Sequence, residues 1–116
     1  MRILGFFLVL VLALASCEEK EPELPAYLLA KEEMVSIMLD MHLVETAQNL
    51  KLIDNDTTLR RYQQYYAAIF RTHETTRADF DSSLFYYTTK TDQMSVIYDK
   101  VLEELSELES QVKSDQ

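Results

Sequence analysis

Apolar residues follow two different patterns in this chain. At the start they are nearly continuous, from Ile3 to Ala15, behind a charged Met1-Arg2. From residue 34 onward they recur every three or four positions, the spacing of one face of a helix. The second pattern predicts four helices. The first covers about Lys31 to Asn49, with Met34, Ile37, Met38, Met41, Val44 and Gln48 on one face and a second stripe of Val35, Leu39 and Leu43 on another side. A helix apolar on two sides is either central in its bundle or lends one side to a partner. The second helix follows a turn at Asp54–Thr58, capped by Asp56 or Thr57, and runs to about Arg71 on Leu59, Tyr62, Tyr66, Ile69 and Phe70. Thr76-Arg77-Ala78-Asp79 has the form of a capping box and opens the third helix, about 77–88, on Phe80, Leu84 and Tyr87, with small Ser83 allowing close approach. Thr91 caps the fourth, which runs to about Val112 on Met94, Ile97, Tyr98, Val101, Leu102, Leu105 and Leu108. No stretch shows the period-two alternation of a strand. The expectation is an all-α domain, a small bundle of about four helices.

The apolar run at the start has another meaning. About 13 residues are too few to span a bilayer, which takes roughly 18–20. Charged start, apolar middle and small-residue end are the parts of a secretory signal. Its last residues, Leu14-Ala15-Ser16-Cys17, resemble a bacterial lipobox, in which the Cys is acylated and becomes the first residue after cleavage. Residues 1–16 are therefore expected to be a lipoprotein signal peptide. Residues 17–26 read as a lipidated Cys17 with a tether, because Glu18, Glu19, Glu21 and Glu23 repel one another and Pro22 and Pro25 forbid a helix. Residues 27–116 form the helical domain. The eight residues after Cys17, fully extended, reach at most ~25–30 Å. An acidic cluster at this point also resembles the surface-export signal of Bacteroidetes lipoproteins.

Composition narrows the chemistry. Removing residues 1–16 takes away one basic residue and no acidic one, which leaves 10 basic against 20 acidic residues, a net of −10. Such a chain is unsuited to nucleic acid or anionic headgroups, so attachment to a membrane must come from lipid. The sole Cys is committed to the anchor, and helix packing must hold the domain without disulfides. The only Gly is Gly5, in the signal. That excludes the phosphate-cradling loop, the dinucleotide fingerprint and the hydrolase nucleophile elbow, each of which needs Gly. Asn49 and Asn55 become the expected occupants of left-handed cap positions.

One polar constellation stands out, Asp40, His42 and Glu45 on the first helix. His42 and Glu45, three apart, could share a metal, but Asp40 projects away from both, and the other His, His73, falls in a turn. Glu45 interrupts an apolar stripe and needs a partner, either a Tyr hydroxyl or Arg60 or Arg61. Met34, Met38 and Met41 share a face, as core or as an adaptable surface. Tyr65-Tyr66 and Tyr86-Tyr87 each place one ring inward and one outward, and exposed Tyr65, Tyr86 and Phe85 would suit an interface. Ser82 and Ser83 have no His or Lys placed to activate them.

The lipobox is followed by D-x-H-L-x-E (Asp40, His42, Leu43, Glu45), then by H-x-x-T-x-x-x-F-x-x-S-L-x-Y-Y (His73, Thr76, Phe80, Ser83, Leu84, Tyr86, Tyr87), then by I-Y-x-x-V (Ile97, Tyr98, Val101). This combination resembles the Bacteroidetes lipoprotein family that carries the domain of unknown function 4296, over about Leu29 to Leu105. The resemblance implies lineage and architecture and assigns no site. Thr75 departs from it, since an apolar residue is expected there. A looser likeness, of one helical hairpin, is to the N-terminal module of periplasmic parvulin-type chaperones.

The reading that results is a lipoprotein of the cell envelope, held in an outer membrane at its periplasmic face or on the cell surface. It is expected to act as a non-enzymatic interaction or folding-helper module, with an envelope protein as partner and no nucleic acid, small-molecule substrate, metal or cofactor. The candidate surface comprises Val35, Leu39, Leu43, Asp40, His42, Glu45 and Tyr86. The alternative is a metal-binding or enzymatic protein centred on His42 and Glu45.

Overall fold

A computed structural model describes residues 23–50 and 59–115. Cys17, the tether through Pro22, Asn55, Asp56, Thr57 and the side chains of Leu59 and Arg60 lie outside the described residues. Within them are four helices and no strand: α1 (Lys31–Asn49), α2 (Leu59–Thr72), α3 (Arg77–Thr88) and α4 (Thr91–Ser114).

α1 is the central element and touches each of the other three. Its two apolar sides explain this. Met34, Ile37 and Met38 are buried, as is Val35 from the second stripe. α2 runs antiparallel to α1 over its C-terminal half, where Tyr66 meets Glu45 and His73 meets Asp40. α3 takes over along the N-terminal half, where Tyr87 reaches Leu29. α4 lies on the other side and runs parallel to α1: Val35 shares a depression with Val96 and Ile97, and Leu39 shares the next with Leu108 and Gln111. The core between them is Met34, Ile37, Ile69, Phe70, Phe80, Tyr87, Met94, Ile97 and Val101, with Phe70 and Phe80 in ring contact at 5.6 Å.

The helix starts differ in how they are satisfied. The Glu33 carboxylate accepts the Ala30 N–H at 2.9 Å and closes the start of α1. At α3, the Thr76 hydroxyl oxygen accepts the Asp79 N–H at 3.1 Å, as the capping pattern predicts. The shorter Asp then accepts from the Thr76 hydroxyl itself, at 2.8 Å.

Three expectations need correction. Thr91 is the first residue of α4 and does not cap it; Lys90 precedes the helix and its carbonyl accepts from Gln93 and Met94. The α3–α4 link is so short that the helix begins before a capping side chain can be used. Asn49 ends α1 with ordinary helical backbone, and the left-handed residue among those described is Glu74, at φ 51°. There the Thr75 N–H bonds the Phe70 carbonyl and the Glu74 N–H bonds the Arg71 carbonyl, which is the Schellman closure of α2. The apolar face of α4 is also narrower than its spacing predicts. Met94, Ile97 and Val101 are buried, but Tyr98, Leu102 and Leu108 are exposed, because α1 and α3 cover only one side of the helix.

Candidate interaction surface

The segment before α1 is not helical, yet it is fixed to α3. The Ser83 hydroxyl oxygen accepts the Leu29 N–H at 2.9 Å and donates to the Tyr27 carbonyl at 3.3 Å. One turn later the Tyr87 hydroxyl donates to the Leu29 carbonyl at 2.8 Å. A Pro25–Leu28 turn leads in, with the Leu28 N–H on the Pro25 carbonyl. Ser83 is fully buried, and Tyr87 nearly so. Burial comes first in raising the Tyr87 pKa, with Tyr86, Glu32 and Glu33 adding to it. The hydroxyl therefore stays neutral and able to donate. The sequence reading assigned Ser83 only a spacing role. The signal it passed over was the pair of hydroxyls four apart, facing a non-helical segment whose backbone groups need partners.

The polar residues of α1 separate into two groups. Asp40 bonds His73 Nε2 at 2.7 Å, so the two residues that fitted nothing in the sequence are partners. The Schellman turn places His73 there, directly before Glu74. Glu45 takes the Tyr hydroxyl alternative: Tyr66 donates to Oε1 at 2.9 Å. Burial first, then the Glu45 hydrogen bond and charge, then Tyr62, push the Tyr66 pKa far above its ordinary value. Tyr62 stacks on Tyr66 at 5.3 Å. His42 Nδ1 stands 3.7 Å from Glu45 Oε2, and both side chains are nearly half exposed. Among the described residues no three His, Cys, Asp or Glu side chains converge as a metal would need.

A groove of about 830 Å³ opens between α1, α2 and α3, with Met41, Tyr62, Tyr66, Phe70 and Phe80 in its lining. Arg77 and Asp81 stand at its edge, 3.4 Å apart. On the other flank of α1 the second stripe is covered unevenly. Val35 is buried, Leu39 partly buried and Leu43 43% exposed, as the α1–α4 seam opens toward its C-terminal end. Tyr86 is partly buried, edge-on to Tyr87 with the Lys90 ammonium 5.4 Å above its ring, whereas its neighbour Phe85 is 73% exposed. Of the expected surface, Val35 is core and Leu43 is open, while Asp40, His42 and Glu45 lie along the α1–α2 side. Val96, 56% exposed on α4, was not anticipated, since it falls off the helix's apolar face.

Among the described residues no helix is long and apolar enough to cross a membrane. Fold and surface together define a small all-α domain whose N-terminal segment is strapped to its third helix. A family model described as a domain of unknown function, DUF4296, matches residues 25–111, and the chain belongs to that family. The match begins with the strapped segment and ends within α4. No curated protein and no solved structure matches the chain.

Proposed function

We propose that this chain is a lipoprotein of an outer membrane, acylated at Cys17, that presents its helical domain as a non-enzymatic docking module for another envelope protein. The observation that carries the reading is the uneven cover of α1. Its second stripe passes from buried Val35 to half-open Leu43, and Val96 of α4, which shares a depression with Val35, is exposed. Apolar side chains left open along a seam between two long helices suit a partner's side chains better than they suit water.

The lipobox and the short tether support the anchor. The Ser83–Tyr87 strap holds the chain at Tyr27 and Leu29, so a domain anchored at Cys17 would stay close to the bilayer and meet partners in or on the membrane. Two or three acyl chains would hold it stably where one is marginal. A folding helper for envelope proteins is the most concrete form of the reading.

Two measurements test it in the native cell. Labelled fatty acid should enter the wild-type chain and not Cys17→Ala, and label retained in the variant removes the anchor. Cross-linking and capture of the tethered chain should bring down either one stoichiometric envelope protein or a set of outer-membrane clients. Capture no richer than that of an unrelated lipoprotein removes the docking role.

A further inference from the structure

The α1–α4 seam has two sides. α3 packs against both helices and closes the inner one. The outer side is open: two depressions of about 480 and 220 Å³ follow it, and a third of about 370 Å³ adjoins them on α4 alone. The first and second share Lys100 and Glu104, and the second and third share Glu107 and Gln111, so they form one continuous trough. From Val96 to Gln111 the trough follows α4 for about 22 Å at 1.5 Å per residue, the length of four turns of a guest helix.

Its lining is of two kinds. Val35, Leu39, Val96 and Leu108 supply an apolar floor. The rim carries Glu32, Asp99, Glu103, Glu104 and Glu107 against only Lys31 and Lys100. Lys100 donates to Glu103 at 2.9 Å, and that contact leads the rise in its pKa, with Glu104 and Glu107 adding to it. The cation is thus already engaged, and the rim stays acidic.

We propose that this trough receives a cationic amphipathic helix of a partner protein, about four turns long, with its apolar stripe on Leu39, Val96 and Leu108 and its Lys or Arg side chains on Asp99, Glu104 and Glu107. This rests on the docking reading above and names the partner's chemistry. Charge selects this occupant. A second copy would bring the same acidic rim and a net charge of −10 after loss of residues 1–16, and an anionic lipid surface would be repelled in the same way.

The test uses the full mature chain and three fluorescent peptides of equal length. One has a Leu stripe flanked by Lys, one has the same stripe flanked by Glu, and one has the first composition scrambled to break the stripe. The first should bind at least about tenfold more tightly than the others. Glu104→Lys with Glu107→Lys should weaken it by about tenfold or more, and Leu39→Ser should do so at unchanged helix content. Glu104→Gln with Glu107→Gln, which keeps shape and removes charge, should give a smaller loss in the same direction. Equal binding of the acidic or scrambled peptide, indifference to these substitutions, or no binding at all overturns the assignment. Such a failure alongside a discrete partner captured in the cell would remove the trough and leave the docking role standing.

Discussion

The Ser83 hydroxyl oxygen accepts the backbone N–H of Leu29, 54 positions earlier in the chain, at 2.9 Å. With Tyr87 it reads only main-chain groups, so it holds the approach to α1 whatever the side chains there. Ser83→Ala would leave the Leu29 N–H and the Tyr27 carbonyl, both part-buried, without this partner. The expected loss is about 1–3 kcal/mol in urea unfolding, with faster hydrogen exchange at the Leu29 amide. Tyr87→Phe should cost about 1 kcal/mol and free the same segment. Stability unchanged in both would mean that the strap contributes nothing to the fold.

Tyr66 and Tyr87 should set an alkaline limit. Both have folded pKa values raised above the ordinary value near 10, Tyr66 the more strongly. Their contribution is complete below about pH 10, where both states are protonated. Above it the unfolded chain loses its protons first, and the free energy of unfolding falls until the folded hydroxyls ionise as well. Urea midpoints should therefore decline above about pH 10, and Tyr66→Phe should flatten that decline. A midpoint constant across this range would contradict the neutral, hydrogen-bonded state of the two hydroxyls.

Glu74 holds a left-handed conformation that costs a side-chain-bearing residue about 1 kcal/mol or more. Glu74→Gly should stabilise the domain by about 0.5–1 kcal/mol, because the relief exceeds the extra freedom glycine gives the unfolded chain. The rise would be read directly in thermal unfolding, and a fall would show that the Glu74 side chain has a role beyond its backbone.

Thr75 follows, and its hydroxyl is buried with no hydrogen-bond partner among the described residues. Thr75→Val keeps the shape and removes the orphaned group, so a gain of about 1 kcal/mol is expected in the same experiment. This is the position where the family resemblance leads one to expect an apolar residue.

The helices were legible in the sequence because their apolar spacing is regular and Thr76 marks a start. The two stripes of α1 left it either central or lending one side to a partner, since Val35 and Ile37 cannot face the same neighbour, and its contacts with all three other helices make it central. What could not be read were contacts set by tertiary placement. Asp40 and His73 are 33 positions apart, and only the antiparallel fit of α2 on α1 brings them to 2.7 Å. The left-handed position fell on Glu74 and not Asn49, because the closure of α2 needs that backbone whatever residue stands there. Tyr98 and Leu102 share the helical spacing of core residues, yet among the described residues both stay exposed on that side of α4.

The docking role is tested most directly in the living cell by a photo-crosslinking amino acid placed at one position at a time. Val96, in the α1–α4 trough, should give a discrete adduct with an envelope protein, and exposed Thr72, at the end of α2, should not. No adduct at Val96, or the same adducts from both positions, would contradict the account.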